Sequence, residues 1–216
     1  MAKQYLQRTI IRVEGTNDLH TIAVLLQLHA FQMEKLPRDV EIEEKKGKAP
    51  LLDTIGTAIK ASTGQAVGFV IDADTDVSAT WAAVRLQIEG AIGKTPKLPK
   101  ECPRKGSVID IADLKSRVGV WIWPDNTNPG ILEDFLQGLV TASDPVLPIA
   151  ESATNDAKKA GARFKSAYHR KAVVHAWLAW QKEPGRPFGV ALKAKYFDHN
   201  APFATAFVGW VRRLVD

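Results

Sequence analysis

Acidic residues follow two apolar segments that have the character of β-strands. Glu14 comes directly after the run TIIRV, and Asp18 follows it in the sequence Glu-Gly-Thr-Asn-Asp. Asp72 and Asp74 end the run AVGFVIDAD, with Asp76 just beyond. In an extended segment, residues two apart point to the same side, so Asp72 and Asp74 could share a ligand. These acids are the first candidates for a functional site.

A third acidic group follows a later apolar run. The segment RVGVWIWPDN contains Asp125, and Glu133 and Asp134 come next, at the start of a predicted helix. Acids at a helix start are stabilised by the helix dipole, which is as good an explanation as metal ligation for Glu133 and a better one for Asp134. For Asp74 and Asp76, capping of the following helix is a comparable alternative.

Carboxylates that crowd together repel one another, and a hard divalent cation is the usual compensation. Ligation by oxygen alone suits Mg²⁺, Mn²⁺ or Ca²⁺ rather than Zn²⁺, and the sequence has no Cys/His cluster with zinc-site spacing. The sequence therefore predicts a site for Mg²⁺ or Mn²⁺. Its candidate ligands are Glu14, Asp18, Asp72, Asp74, Asp76, Asp125 and Glu133.

Strands and helices alternate over about residues 1–140, which predicts βαβ units and an α/β fold with a mainly parallel sheet flanked by helices. In such a sheet, ligands bind beyond the carboxyl ends of the strands, where all three acidic groups would lie. From residue 145 onward the pattern is helical only. We predict an α/β domain over residues 1–144, with a helical C-terminal extension over residues 145–216 packed on it.

Basic residues set a second expectation. The net charge of +5 comes from 29 basic and 24 acidic residues, which is compatible with nucleic acid binding but does not argue for it alone. The Pro- and Lys-rich segment 93–106 predicts an exposed loop. Its lysines are most simply solvated, but they could also follow a phosphate backbone. The candidates for that contact are Lys94, Lys97, Lys100, Arg104 and Lys105.

Other features of the sequence indicate where in the cell the protein is located. Cys102 is the single cysteine, so no intrachain disulfide can form. No apolar run is long enough to span a bilayer, and the N-terminus lacks the pattern of a secretory signal. These features favour a cytoplasmic protein without a membrane partner.

The acidic pattern resembles a known nuclease domain. Glu at the end of a first strand, followed by Asp-x-Asp at the end of a later buried strand, is similar to the Toprim domain of topoisomerases, primases and related nucleases. The fuller form, Glu-Gly-x-x-Asp followed by Asp-x-Asp, resembles the Toprim domain of the OLD (overcoming lysogenization defect) nucleases. The segments VEGTND, FVIDADTD, WPDNTNPGILEDFL and KAVVHAWLAWQKEPGRPFG also resemble a small bacterial family of stand-alone, OLD-like Toprim proteins of unknown function.

This resemblance implies a Toprim-like (Rossmann-like) fold with Mg²⁺-dependent phosphodiester chemistry. Glu133 resembles a further acid of the OLD-like branch. Those nucleases also use a basic residue near the scissile phosphate, for which Lys171 is the candidate, although a lysine that reaches past an apolar seam to water is a slightly favoured alternative. The Toprim acidic positions are matched by Glu14, Asp18, Asp72 and Asp74, and we expect Glu14, Asp72, Asp74 and Lys171 to carry the catalysis.

Three functions are consistent with these residues. The leading one is a metal-dependent nuclease or phosphodiesterase that acts on DNA or RNA. The second is a non-catalytic module that binds nucleic acid or nucleotides. Such a module could work with a separate ATPase partner, and the protein could form a homo-oligomer. OLD nucleases pair their Toprim with an ATPase, whereas this sequence has no Gly-x-x-x-x-Gly-Lys-Ser/Thr loop. The third, weaker hypothesis is phosphoryl transfer on a small nucleotide.

Overall fold

The computed structural model describes residues 8–29, 40–93 and 97–216, and its centre is a five-stranded sheet in the order β2-β1-β3-β5-β4. β1, β2, β3 and β5 are parallel, and β4 is antiparallel to β5. The predicted α/β class with a mainly parallel sheet is confirmed. The strands are β1 (Thr9–Val13), β2 (Val40–Glu44), β3 (Ala66–Asp72), β4 (Ser107–Ile111) and β5 (Ser116–Trp123).

Helices flank the sheet on both faces. Within the described ranges they are α1 (Thr16–Leu28), α2 (Lys48–Lys60), α3 (Val77–Ile92), α4 (Leu132–Gln137), α5 (Val146–Lys159), α6 (His169–Ala179), α7 (Phe188–Lys193) and α8 (Pro202–Val215). The region after residue 145 is helical, as predicted, but it is divided into four α-helices and a short 3-10 helix at Ser166–Tyr168. None of the helices in these ranges is both long and apolar enough to cross a membrane.

Alternating side chains of the central strands feed two separate cores. In β3, Val67, Phe69 and Ile71 pack on the face that α2 and α3 cover. Val70 faces the opposite side, where it shares one buried cluster with residues of the C-terminal helices. Burial on both faces explains why β3 reads as a continuous apolar run. Because the second core contains residues from before and after residue 145, the C-terminal extension completes the core of the sheet.

Two glycines let α8 lie directly against the sheet. Gly68 of β3 is paired with Gly119 of β5 in the centre of the sheet. A Cβ on Gly68 would lie 2.8 Å from Leu214 Cδ2 and 3.2 Å from Trp210 Cη2, and a Cβ on Gly119 would lie 2.9 Å from Leu214 Cδ1. The side chains of α8 therefore fill the space that side chains on these strands would take.

We predict that Gly68→Ala destabilises the protein by about 1–3 kcal/mol, because the added methyl group overpacks a core that has no free volume there. Urea unfolding of the purified variant measures this loss. Gly209→Ala is the matched control, since nothing lies within 4 Å of its Cβ position in the interior of α8. There the same change should be neutral or stabilise by up to about 1 kcal/mol. Equal stability of both variants would contradict close packing of α8.

Candidate metal-binding and catalytic site

A groove of about 550 Å³ lies at the carboxyl edge of the sheet, beyond the ends of β1, β2 and β3. We call it the acid groove. It brings together strand ends, the first turns of α1 and α4, and a side chain from α6. Its lining residues are Glu14, Gly15, Thr16, Asn17, Asp18, Glu44, Lys46, Gly47, Asp72, Leu132, Glu133 and Lys171. The structure thus gathers Glu14, Asp18, Asp72, Glu133 and Lys171 from the sequence-derived candidates.

Backbone donors fix two of these carboxylates. Glu14 Oε1 accepts a hydrogen bond of 2.9 Å from the backbone N–H of Asp72, which ties the end of β1 to the end of β3. Asp72 Oδ1 accepts a hydrogen bond of 3.0 Å from the backbone N–H of Leu132, the first residue of α4. The end of β3 therefore holds the Glu14 carboxylate, and the start of α4 holds the Asp72 carboxylate.

Asp18 is held by an indole. Trp123 Nε1 donates a 2.8 Å hydrogen bond to Asp18 Oδ1, and both side chains are buried. The Trp123 ring also stacks on Phe207 and packs against Phe135, with ring centroids 4.9 Å and 4.4 Å apart. One side chain therefore belongs to the core and to the floor of the acid groove.

Burial disfavours the ionised form of the groove carboxylates. Loss of water raises the pKa of Glu14 to about 7, assisted by the charge of Asp18 and opposed by the N–H of Asp72. Burial likewise raises the pKa of Asp18 to about 6, with the Trp123 indole opposing it. The pKa of Asp72 lies well above its usual range, because of burial first and the charge of Glu14 second. The groove therefore concentrates poorly compensated negative charge.

Two lysines line the same groove. Lys171 Nζ lies 3.5 Å from Glu133 Oε1, with the Lys171 side chain half-exposed and Glu133 buried. Lys46 is exposed and has no ion pair within the described part of the chain. One turn of α6 further on, burial lowers the pKa of His175, which packs against Phe188 and lies within electrostatic reach of Glu133 and Lys171. Lys171 therefore reaches the acids rather than only bulk water.

Asp74 departs from the expected geometry. Its φ of 56° ends the extended backbone, so the expectation that Asp72 and Asp74 point to the same side is wrong. Asp74 is not among the described residues that line the acid groove. It lines a neighbouring cavity of about 420 Å³, and its Oδ2 lies 2.6 Å from Lys48 Nζ.

Asp76 and Asp125 bind their own backbone instead. Asp76 Oδ1 accepts hydrogen bonds from the N–H groups of Ser78 and Ala79 and so caps α3, which is the capping alternative foreseen for it. Asp125 accepts four hydrogen bonds from Thr127 and Asn128. Although burial acts to raise it, those bonds hold the pKa of Asp125 below its usual value. Neither carboxylate is among the described residues that line the acid groove. Asp76 instead caps α3, and Asp125 stabilises the turn after β5.

Asp134 has a structural role, as favoured from the sequence. Its Oδ2 accepts a hydrogen bond of 2.9 Å from the backbone N–H of Ile131, and its Oδ1 lies 3.2 Å from Arg170 Nε. These contacts fix the start of α4 and connect it to α6. Glu133, one residue earlier, is thereby turned toward the acid groove.

The predicted basic loop lies beside a different surface. Lys94 falls outside the described residues, whereas Lys97, Lys100, Arg104 and Lys105 are exposed. The loop precedes β4, and the Arg104 carbonyl accepts a hydrogen bond from Asn126 Nδ2. Lys105 lines a groove of about 640 Å³ along β4. β5 lies between β4 and β3, at whose end the acid groove begins, so the loop does not line the groove, and phosphate binding by these residues stays a prediction.

The sequence reasoning missed two charged groove residues, Glu44 and Lys46, and also Lys48. Glu44 accepts a 2.5 Å hydrogen bond from Thr16 Oγ1, and Lys46 lines the groove beside it. The available sequence signal was the alternating segment VEIEE, which has the character of a short strand and ends at Glu44. Every parallel strand ends at the same edge, so the residues after β2 were candidates too. No comparable pattern marked Trp123, whose side chain is buried.

Comparison with known proteins gives a family without an assigned activity. The family model described as "Protein of unknown function (DUF3226)" matches residues 8–216. The chain belongs to this family. No curated protein and no solved structure matches it.

The donor set in this DUF3226 chain fits a hard divalent cation. Within the described residues, no three His, Cys, Asp or Glu side chains form a ready-made metal cage. However, Glu14, Asp72 and Glu133 each present one oxygen to a protein donor, and the second oxygen of each has no hydrogen-bond donor in the described part of the chain. Oxygen-only ligands with uncompensated charge suit Mg²⁺ or Mn²⁺.

We predict that Glu14→Gln stabilises the metal-free protein at high pH. In the wild type, Glu14 is protonated in the folded state and ionised in the unfolded state between about pH 4.5 and 7. Because the folded state then binds more protons, stability falls as pH rises through that window and stays lower above it. Glutamine keeps the acceptor for Asp72 without the charge. The gain at pH 8 should be on the order of 1–3 kcal/mol, with little difference near pH 4.

Thermal unfolding in EDTA between pH 4 and pH 8 measures this difference. Glu101→Gln is the matched control, because Glu101 is exposed in the loop before β4, and its stability curve should follow the wild type. If Glu14→Gln is less stable than wild type by the same amount at every pH, the buried charge of Glu14 does not destabilise the folded protein.

Proposed function

We propose that this protein is a metal-dependent nuclease or phosphodiesterase that acts on DNA or RNA. The observation that carries the proposal is the convergence of Glu14, Asp18, Asp72 and Glu133 in one poorly solvated groove with Lys171 on its wall. The resemblance of the acidic pattern to Toprim nucleases supports the same chemistry.

Glu14, Asp18, Asp72 and Glu133 would hold Mg²⁺ or Mn²⁺. When bound, the cation supplies Lewis acidity toward phosphate oxygens. The carboxylates act as ligands, and the N–H groups of Asp72 and Leu132 and the Trp123 indole keep them in place. Pre-set ligands of this kind lower the reorganisation needed when the phosphate changes charge.

The lysines of the groove would act on the substrate itself. Lys171 offers its ammonium to a non-bridging oxygen of the scissile phosphate, where negative charge grows during the displacement. Glu133 lies 3.5 Å from that ammonium and orients it. Lys46 is free of acidic partners in the described part of the chain and offers a contact for a neighbouring phosphate. The exposed lysines of the loop before β4 form a separate positive surface that would hold a more distant part of a long nucleic acid.

A binding module is the second candidate. It would hold nucleic acid or nucleotides in the acid groove without cleavage, with a separate ATPase as partner or as a homo-oligomer. The observation that favours it is the ion pair of Asp74 with Lys48. This pair leaves one of the Toprim-type acids without a free carboxylate for a catalytic metal ion. Either activity belongs in the cytoplasm, where nucleic acids are accessible.

We expect Mn²⁺-dependent cleavage of labelled single- or double-stranded DNA or RNA oligonucleotides by the wild type. Glu14→Gln and Asp72→Asn should each lower the rate at least about 100-fold, since each removes a charged ligand of the ion that stabilises the transition state. Lys171→Met should lower it by about 10²–10³-fold, which is typical for the loss of one electrostatic contact to the transition state. Single-turnover rates measured by gel separation of the products provide the test.

Lys193→Met is the control for the lysine change, because Lys193 is exposed at the end of α7, and it should cleave at the wild-type rate. A wild-type protein that binds oligonucleotides but cleaves none would favour the binding module. Turnover of mononucleotides without cleavage of any polymer would favour phosphoryl transfer on a small substrate. Equal rates for wild type and Asp72→Asn would trace the cleavage to a contaminant.

A further inference from the structure

Lys48 occupies a position between oxygens of the kind that a metal ion takes. It is the first residue of α2, and its Nζ lies 2.6 Å from Asp74 Oδ2, 2.8 Å from the Asp72 carbonyl oxygen and 2.9 Å from Thr80 Oγ1. A carboxylate, a backbone carbonyl and a hydroxyl are typical ligands of hard cations. Here a lysine ammonium provides the positive charge that those three oxygens surround.

The donors and acceptors around Lys48 match completely. An ammonium group has three N–H donors, and each has one of these oxygens as its acceptor. Thr80 Oγ1 also donates to the Ala73 carbonyl at 3.3 Å, which leaves its lone pairs for Lys48. The Lys48 side chain is 27% exposed and its bonds to Asp72 and Thr80 are partly buried, whereas Asp74 is more than half exposed. Another cation at this position would have to displace the ammonium.

The backbone holds Asp74 in place for this contact. Its N–H donates to the Gly130 carbonyl at 2.9 Å, and its carbonyl accepts from the Gly130 N–H at 2.7 Å. With φ at 56°, the carboxylate is turned toward Lys48 and out of the acid groove. The two acids of the Asp-Ala-Asp segment therefore have different surroundings: the Asp72 carboxylate lines the acid groove, whereas the Asp74 carboxylate binds Lys48.

We propose that Lys48 is a positioning residue that supplies a fixed positive charge at Asp74 in place of a second divalent ion, so that the acid groove takes one divalent ion. This inference rests on the proposed function, because it assumes that Glu14, Asp18 and Asp72 bind a cation. It goes beyond that function in fixing the number of ions and in giving Asp74 a structural partner.

The test counts Mn²⁺ bound to the full chain, by calorimetric titration and by the loss of the electron paramagnetic resonance signal of free Mn²⁺. The wild type should bind one Mn²⁺ per chain. Asp74→Asn should keep one Mn²⁺ with an affinity within about threefold of wild type, and Asp72→Asn, two residues away, should lose at least about tenfold; a tenfold loss is about 1.4 kcal/mol.

The outcomes separate this inference from the proposed function. Two Mn²⁺ of comparable affinity in the wild type, or a tenfold loss in Asp74→Asn, would overturn the single-ion inference and leave the metal-dependent function standing. No Mn²⁺ binding to the wild type would overturn the metal site itself, and this inference with it.

A double-mutant cycle tests the Lys48–Asp74 contact without metal. In EDTA, Lys48→Met should lower the melting temperature more than Asp74→Asn, and the double variant should be no less stable than Lys48→Met alone, because both changes remove one interaction. Additive losses would show that the two side chains do not interact, which would overturn the inference. If Lys48→Met does not fold, Mn²⁺ binding to wild type and Asp74→Asn still decides.

Discussion

The ends of the parallel strands concentrate negative charge where little water remains, and the architecture around the acid groove follows from that constraint. Burying carboxylates side by side is unfavourable unless donors or cations accompany them. Glu14 receives the N–H of Asp72, and Asp18 receives the indole of Trp123. These bonds orient the carboxylates but leave their charge largely uncompensated, as the raised pKa values of Glu14 and Asp18 indicate. A groove kept in this state is prepared for a cation.

Packing far from the groove sets its geometry. α8 approaches β3 and β5 closely because Gly68 and Gly119 leave room for Leu214. The same helix presents Phe207 to Trp123, whose indole holds Asp18. α8 thus acts on the site through the contact between Phe207 and Trp123, whereas α6 supplies Lys171 to the groove directly. Because α6 supplies Lys171 and α8 packs Phe207 on the ring of Trp123, the C-terminal part of the chain contributes both a lining residue and support for the groove.

Positive charge is divided between two places. Lys48 lies behind the end of β3 and binds Asp74, whereas Lys46 and Lys171 line the groove. In the proposed function, Lys48 binds a carboxylate of the protein itself, whereas Lys46 and Lys171 contact phosphate groups of the substrate. The basic loop before β4 lies beyond β5, too far to belong to the acid groove itself. Its role would be to hold a long substrate rather than to act on the bond that breaks.

The sequence by itself determined the α/β class and the gathering of Glu14, Asp18, Asp72 and Glu133 at one edge, because apolar runs mark buried strands and parallel strands end together. Only the tertiary structure decided which acids face the groove. A φ of 56° turns Asp74 away, and local backbone N–H groups bind Asp76. It also brought in Lys48 and Trp123, which lie 26 residues from Asp74 and 105 from Asp18 along the chain. Strand order and helix packing create such contacts, and no local pattern of residues records them.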